Sequence, residues 1–165
     1  LTAKPRLVVF NVGEGDLGDE SSAAAKWERE FPGAAALCAK LEMEVAQLPP
    51  EERREFLTDA GVAEPASARL VREAYRATGM ISFFTVGSDE VRAWTIRRGD
   101  NAVAAAGRIH TDLAQAFIRA EVYSYEDLMA AGGSEKEVKA RGKWRLEGKE
   151  YLVQDGDIIC IRHGN

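Results

Sequence analysis

The chain has 165 residues, of which 45% are hydrophobic and 30% are charged, a balance typical of a folded globular protein rather than a disordered one. Its 22 basic and 27 acidic side chains leave a formal net charge of −5, which argues against binding nucleic acid over the whole surface. No apolar stretch approaches the roughly 20 residues of a membrane helix, and no export signal is visible.

The first 48 residues alternate between strand-like and helix-like patterns. The apolar run 6–12 predicts a strand buried on both faces, as in a parallel sheet covered by helices. Ser21 and Ser22 can cap a helix that runs to about Glu30, and residues 34–38 predict a second short strand. This alternation predicts a parallel α/β sheet. Because the chain begins with Leu1 rather than Met, we expect it to be truncated or processed upstream.

Residues 49–79 predict a helical connector. Pro49-Pro50 suits the start of a helix over 51–60, and apolar residues from Leu70 to Tyr75 recur at helical spacing before Gly79.

From residue 80 onwards the pattern predicts a small sheet that holds one helix. Strands over 81–86 and 91–96 flank a hairpin signature at 87–90, and a helix over 101–116 includes His110. A strand over 117–123, a short helix over 125–131 and two last strands around Asp155-Gly156-Asp157 follow. This order is typical of a β-grasp, so the predicted fold class is α/β followed by α+β.

Few residues in the chain indicate catalytic chemistry. No pair of carboxylates, no Ser/His/Asp order and no cluster of metal ligands can be drawn, and no G-x-x-x-x-G-K-[ST] loop is present to hold phosphates. His110 is expected to be structural, and the distant Cys38 and Cys160 favour a reduced, cytoplasmic setting. The sequence therefore predicts no catalytic residue and no metal ligand within these 165 residues.

Two stretches resemble the YchF/Obg-like ATPases, a branch of the translation-factor class of P-loop NTPases. The first is Lys4 to Glu14 followed by Cys38-Ala39-Lys40-Leu41-Glu42, and the second comprises the strand and helix segments between Ile81 and Asp157, which are similar to the family's TGS domain. The resemblance implies that 1–48 is the C-terminal part of a P-loop nucleotide-binding domain, 49–79 a helical connector and 80–165 the β-grasp TGS domain. It also implies that the phosphate loop and the Mg²⁺ ligands lie in an absent N-terminal half, so this fragment alone is expected to be inactive.

The resemblance further implies a base-reading role for the strand end Asn11-Val12-Gly13-Glu14. GTPases of this class read guanine with Asn-Lys-x-Asp, whereas here the Lys is missing and the acid is one methylene longer. Adenine carries an amine where guanine carries a carbonyl, so its site needs an acceptor, because a buried unpaired donor costs about 1–3 kcal/mol. Asn11 and the Val12 carbonyl are implied to supply it, with ATP preferred and GTP also considered. The four residues by themselves are more typical of a simple turn that ends a strand than of a base-reading motif.

Three further residues complete the implied nucleotide site. Glu14 occupies the acidic position of the motif, and Cys38-Ala39 falls where the family has a Ser-Ala-Lys-like loop under the base. Because Cys38 replaces a Ser, the hydroxyl contact to the loop is lost, although backbone N–H contacts can remain. A small buried core residue is the alternative interpretation of Cys38.

A basic stretch around Trp144 is a candidate RNA contact. It contains Lys139, Arg141 and Lys143 next to an aromatic ring on which a base can stack, but four glutamates interleave with the basic residues, so a solvated charged face is an equal alternative. The resemblance implies ATP hydrolysis and ribosome association in the intact protein, with a monomer favoured and no membrane contact. Two alternatives stay open: a TGS-type module that binds RNA or protein without hydrolysis, and an Obg-related GTP-binding protein.

Overall fold

The computed structural model describes residues 4–18, 21–87 and 89–164. The chain divides into two compact units, Leu1–Thr78 and Gly79–Asn165. The fold is mixed α/β. None of the helices in the described ranges is both long and apolar enough to cross a membrane. Leu1, on which the prediction of upstream truncation depends, lies outside these ranges, as does Ser88 of the predicted hairpin turn.

The first unit contains a two-stranded parallel sheet. β1 (Val9–Asn11) pairs with β2 (Ala35–Leu37), and the helix α1 (Ala23–Glu30) connects them. Ser22 begins α1, because its hydroxyl accepts a hydrogen bond from the Ala25 N–H at 3.1 Å, as the sequence predicts. A short 3₁₀ turn (Glu14–Asp16) follows β1.

The prediction that the first strand is buried on both faces is wrong for β1. Val9 is 43% exposed and Asn11 is also exposed, while Phe10 alone turns towards a cluster of rings. The ring of Phe10 lies 5.3 Å from that of Trp27 and 5.4 Å from that of Phe31. The rings of Trp27 and Phe31, within and just after α1, thus cover Phe10, whereas Val9 and Asn11 are exposed.

The outer edge of β2 is closed by two side chains. In the parallel pair, Ala35 donates to the Val8 carbonyl, which leaves the N–H and C=O of Ala36 directed away from β1. Glu28 accepts from the Ala36 N–H at 2.8 Å, and the guanidinium of Arg69 donates to the Ala36 carbonyl. Arg69 also pairs with Glu28 at 3.2 Å. These contacts complete the hydrogen bonding of a strand that is 1% exposed at Ala36.

Three helices complete the first unit. They are α2 (Ala39–Gln47), α3 (Pro50–Asp59) and α4 (Ala66–Thr78). Pro50 occupies the first turn of α3, where its missing N–H costs nothing. The buried side chains of Cys38, Leu41, Val45 and Leu57 form the core between α2 and α3.

The second unit is built on a five-stranded mixed sheet in the order β4-β3-β7-β5-β6. Its strands are β3 (Met80–Val86), β4 (Val91–Arg97), β5 (Phe117–Ser124), β6 (Arg145–Glu147) and β7 (Asp157–His163). β3 and β7 run parallel at the centre, and the other neighbours are antiparallel. The hairpin of β3 and β4 is the one that the sequence predicts.

Each face of this sheet packs against helices. On one face α5 (Ala102–Ile109) buries three alanines against residues such as Phe83, Val122 and Ile159. On the other face, α7 (Tyr125–Ala130) and α8 (Glu135–Ala140) pack over Tyr123 and Ile158. The small side chains of α5 let its backbone approach the sheet closely, which explains why an alanine-rich helix lies there.

The predicted single helix over 101–116 is interrupted. His110 has extended backbone angles (φ −160°, ψ 142°), so it ends α5 and begins α6 (Thr111–Gln115). Its ring nitrogen Nδ1 accepts from the Asp112 N–H at 3.2 Å. The prediction that His110 lies inside a helix is therefore wrong, because the ring caps the second helix.

The prediction of two strands around Asp155-Gly156-Asp157 is half wrong. Only β7 follows the turn, whereas the segment before it contributes one isolated bridge between Leu152 and Asn101. The helix α8 and the strand β6 were not predicted. Ser134 caps α8 by accepting from the Glu137 N–H, and this S-x-x-E pattern is a sequence signal for a helix start.

Candidate functional site

The two stretches that the sequence predicts to form one site meet in the structure. Asn11 ends β1 and Cys38-Ala39 directly follows β2, so both lie at the carboxyl edge of the parallel pair. The side-chain oxygen Oδ1 of Asn11 accepts a hydrogen bond from the Ala39 N–H at 3.0 Å. Ligands bind at this edge in open α/β sheets, because the loops that leave the strands converge there.

The backbone next to Asn11 leaves one acceptor unused. The Val12 N–H donates to the Leu37 carbonyl at 2.8 Å, which extends the β1–β2 pairing by one residue. The Val12 carbonyl accepts no hydrogen bond from any described residue. Gly13 follows, and a Cβ at that position would lie 3.2 Å from the Asp16 carboxylate, which is a tight contact. The exposed Asp16 side chain would have to shift by a few tenths of an ångström, and the backbone angles of Gly13 (φ −73°, ψ 160°) are open to other residues.

Glu14 points to a lysine rather than into open space. Its carboxylate lies 3.0 Å from the Nζ of Lys40, which lies 3.7 Å from Glu44 one helical turn further on. The hydrogen bond that Lys40 donates to the Glu14 carboxylate raises the pKa of Lys40, so the ammonium stays charged. Both side chains are largely exposed, so the pair adds little to stability. The consequence of the pair is that the Glu14 carboxylate is already bound to Lys40.

Cys38 lies below this loop, in the core. It is 4% exposed, precedes α2, and its thiol makes no capping hydrogen bond. A cavity of about 330 Å³ in the first unit is lined by Cys38, Leu41, Glu42 and Arg69, but by none of Asn11, Val12 or Glu14. Cys38 thus lines this cavity, and its side chain has the packing of a small core residue.

The arrangement at the strand end can recognise a donor. The Asn11 oxygen has a second lone pair after binding Ala39, and the Val12 carbonyl has both of its lone pairs. The Ala39 N–H, in contrast, is already used by Asn11. The strand end therefore offers two acceptor oxygens, those of the Asn11 side chain and the Val12 carbonyl. Among the described residues no three His, Cys, Asp or Glu side chains come together to hold a metal ion.

The basic stretch around Trp144 is also tied to its surroundings. The Trp144 ring stacks on Tyr123 with centroids 4.5 Å apart, and the Nζ of Lys139 lies 3.9 Å from the Trp144 ring centre. Arg141 donates to the Ala130 carbonyl at 2.8 Å. A base that stacks on the outer face of Trp144 therefore has to displace the Lys139 ammonium.

Lys143 and Tyr123 complete the surroundings of this ring. Lys143 lies 3.7 Å from the Asp127 carboxylate. Tyr123 is 1% exposed and donates to Glu135 at 2.6 Å, and its burial together with this hydrogen bond raises the pKa of the phenol. The Asp127 carboxylate thus partly neutralises the charge of Lys143. Tyr123 packs against the inner face of the Trp144 ring.

A buried carboxylate in the second unit was not singled out from the sequence. Asp157 is 2% exposed and accepts from the Tyr151 hydroxyl at 2.7 Å and from the Gln154 N–H at 2.8 Å. Arg145 lies 3.5 Å from it. Burial, followed by the hydrogen bond to Asp157, raises the pKa of Tyr151 to about 12. These hydrogen bonds stabilise the turn before β7. The Asp155-Gly156-Asp157 pattern predicts the turn but not this buried hydrogen-bond network.

Comparison with known proteins identifies the second unit. Residues 80–164 match the family model YchF-GTPase_C, which is described as a protein of unknown function (DUF933). This match covers more than half of the chain. The chain belongs to the YchF family. It is 45% identical over 168 residues to the "Ribosome-binding ATPase YchF" of Bacillus subtilis, covering 98% of this chain and 46% of that protein.

Other members and solved structures agree with the YchF assignment. The human "Obg-like ATPase 1" is 41% identical over 172 residues, which cover 98% of this chain and 42% of that protein. The structure of the Schizosaccharomyces pombe YchF GTPase superposes with a TM-score of 0.81 at 33% identity, covering 98% of this chain and 44% of that one. A GTP-binding protein from Pyrococcus horikoshii, at 19% identity and a TM-score of 0.62, shares the fold. The chain thus spans about half the length of the YchF relatives it matches, and it corresponds to their C-terminal half.

Proposed function

We propose that this chain is the base-reading and TGS-bearing half of a ribosome-associated protein that binds and hydrolyses ATP and prefers ATP to GTP. Its YchF relatives are named ribosome-binding ATPases, and that name comes to this chain as part of the proposal. The observation that carries it is the hydrogen bond between Asn11 and Ala39, which brings the two halves of the candidate base site together.

Adenine fits the two acceptors at this site. Its exocyclic amine has two N–H donors, and the two oxygen atoms, Asn11 Oδ1 and the Val12 carbonyl oxygen, can each accept one of them. Both groups lie at the same strand end. We therefore assign Asn11 and Val12 as the residues that bind the amine of the base.

Guanine fits less well for one reason. Its N1–H and amino group need a carboxylate, and the Glu14 carboxylate is held by Lys40 at 3.0 Å. A guanine would have to displace Lys40 from Glu14, whereas adenine does not use this carboxylate. This difference favours ATP.

The remaining parts of the activity lie outside the described site. The P-loop that holds phosphates and the ligands of Mg²⁺ are assigned to a part of the protein beyond this chain, where Mg²⁺ would neutralise the developing phosphate charge. Cys38 and Ala39 contribute the loop under the base, Ala39 through its backbone and Cys38 through packing.

We assign the second unit as a TGS domain of the β-grasp type. A mixed sheet in the order β4-β3-β7-β5-β6 that packs α5 on one face supports this assignment. Lys139, Arg141, Lys143 and Trp144 are the proposed contacts to ribosomal RNA. Because each is engaged within the domain, RNA binding there exchanges internal contacts for phosphate contacts, and its affinity should fall steeply with salt.

Titrations with ATP and GTP on the full-length protein that carries this chain test the assignment. The unmodified protein is expected to bind ATP more tightly. The double substitution Val12→Lys with Glu14→Asp rebuilds Asn-Lys-x-Asp and shortens the acid away from Lys40. One recovered pair of charge-assisted hydrogen bonds is worth about 1.5–3 kcal/mol, so relative affinity should shift towards GTP by roughly ten- to a hundredfold.

The single substitution Val12→Lys is the matched control, because it adds the lysine but keeps Glu14 paired. It should shift base preference much less than the double substitution. An unmodified protein that prefers GTP contradicts the role of Asn11 and Val12. If the unmodified protein prefers ATP and the double variant has the same relative affinity for ATP and GTP, the residues that set base specificity lie outside this strand end.

A further inference from the structure

A groove of about 450 Å³ in the second unit lies between β3, the start of α7 and the turn before β7. Its apolar wall is formed by Phe84 and Tyr125, whose ring centres are 6.3 Å apart. Tyr125 is 51% exposed, so its ring is open to a partner. The volume is in the range of pockets that take up small ligands, roughly 300–1,000 Å³. The groove therefore has room for a planar group that stacks on Tyr125.

Three hydrogen bonds fix the backbone around this groove. The Ser82 N–H donates to Oδ1 of Asp155 at 2.8 Å, and the Gly156 N–H donates to the Ser82 carbonyl at 2.8 Å. The Tyr125 N–H donates to the Gly156 carbonyl at 2.9 Å. The turn is thus held against both β3 and α7 before any partner arrives, which lowers the conformational cost of binding.

The charges of the groove select a cation. Glu126 and Asp155 are exposed, and neither forms an ion pair with any described residue. Arg145, the basic side chain among the described residues that line the groove, lies 3.5 Å from the buried Asp157, so these two charges offset each other. The side-chain oxygen of Gln154 is a further acceptor, because its NH₂ group donates to a backbone carbonyl at 2.7 Å. The groove thus presents unpaired negative charge next to an exposed aromatic ring.

A guanidinium group matches this combination. It is planar and stacks on aromatic faces, and its fork of N–H donors fits a carboxylate, whereas an ammonium is a compact point charge. A nucleic acid fits poorly, because its phosphates would lie against Glu126 and Asp155. We propose that the groove binds an arginine side chain of a basic segment of a partner protein, stacked on Tyr125 and paired with Asp155. The base-reading residues take no part in this binding.

Titration of the full chain with a tetra-arginine peptide, followed by ¹⁵N NMR, tests the groove. The amide signals of Ser82, Gln154 and Gly156 should shift with a Kd of about 1 mM or tighter at low salt. A tetra-lysine peptide should bind about threefold or more weakly, because it cannot lay a planar charge on the ring. If these amides do not shift, or if the two peptides bind equally, the proposal is overturned.

Two substitutions of Tyr125 test the stacking. Tyr125→Leu keeps an apolar contact with Phe84 but removes the aromatic face, and it should weaken binding of tetra-arginine about two- to fivefold. Tyr125→Phe keeps the ring and should bind to within about 1.5-fold of the unmodified chain. Equal affinities of the two variants contradict the stacking on this ring.

A third substitution tests the carboxylate. Asp155→Asn keeps the oxygen that accepts from the Ser82 N–H but removes the charge, so it should weaken binding about two- to fivefold, an effect that salt reduces. Glu90→Gln is the matched control, because Glu90 is an exposed acid that lies beyond the other end of β3. It should change the Kd by less than about 1.5-fold. Equal effects of the two substitutions would show that the peptide senses only the net charge of the chain, which refutes the proposed site.

Discussion

Asn11 and Ala39 are 28 residues apart in the chain and are joined by a hydrogen bond of 3.0 Å from the Ala39 N–H to the Asn11 oxygen. This contact links the end of β1 to the start of α2 and fixes which groups of the loop remain for a ligand. In the proposed base site, this bond engages the Ala39 N–H and leaves the Val12 carbonyl as an acceptor.

Asn11→Ala removes the acceptor and leaves the Ala39 N–H to water. Because the contact is exposed, the free energy of unfolding should fall by only about 0.5–1.5 kcal/mol, and amide exchange at Ala39 should accelerate. Urea unfolding and hydrogen exchange by NMR measure the two effects. Asn11→Asp keeps an acceptor oxygen and is the control. Equal exchange rates at Ala39 in both variants would show that the bond does not form.

Arg69→Met should destabilise the first unit more strongly. It removes the donor to the Ala36 carbonyl at the edge of β2, a residue that is 1% exposed, and leaves Glu28 without its cation. A loss of about 1–3 kcal/mol is expected in chemical denaturation. Arg72→Met is the matched control, because Arg72 pairs with Glu64 at the surface. This substitution should lower the free energy of unfolding by less than about 1 kcal/mol. Equal losses in the two variants would rule out the edge-closing role of Arg69.

The segment 80–165 is expected to fold without the rest of the chain. Two buried clusters, one on each face of the sheet, supply its core, centred on Phe83 and on Tyr123. Expressed alone, it should unfold in one cooperative thermal transition. Phe83→Ala should lower the midpoint strongly, since it empties a fully buried site, whereas Val91→Ala at the exposed edge should not. A segment without a cooperative transition would refute the boundary.

The second unit should lose stability in alkali. The pKa of Tyr151 is about 12 in the folded chain, and that of Tyr123 is also raised above the ordinary value of 10. A group whose pKa is raised by folding contributes its full stabilisation of the folded state at any pH below its unfolded pKa. This contribution is lost as the pH rises through the pKa of the folded state. The free energy of unfolding should therefore fall between about pH 10 and pH 12. Tyr151→Phe should flatten this slope, and an unchanged slope would disprove the assignment.

The purified chain is expected to show no turnover of ATP. The G-x-x-x-x-G-K-[ST] loop is missing from its sequence, and positioning and charge stabilisation of the phosphoryl group supply nearly all of the catalysis in such enzymes. A phosphate-release assay measures this directly. Turnover that disappears when Glu14 is replaced, for example by Gln, would contradict the expectation, because the activity would then belong to this chain.

The sequence by itself determined the order of most strands and helices and the family. The cap at Ser22, the proline that starts α3 and the hairpin of β3 and β4 depend on neighbours within a few residues, so local patterns predict them. The S-x-x-E pattern at Ser134 shows that the start of α8 can also be predicted from the local sequence.

Only the tertiary structure decided which side chains meet. Sequence periodicity does not specify the backbone angles that interrupt the helix at His110. It also does not specify the partners of Glu14, which pairs with Lys40, or of Trp144, which lies between Tyr123 and Lys139. These contacts depend on how strands and helices align after they pack, and an alignment shift of one residue would change every partner. The acceptors at Asn11 and Val12 belong to the same class, because a free hydrogen-bonding group is recognised only once all of its neighbours have been placed.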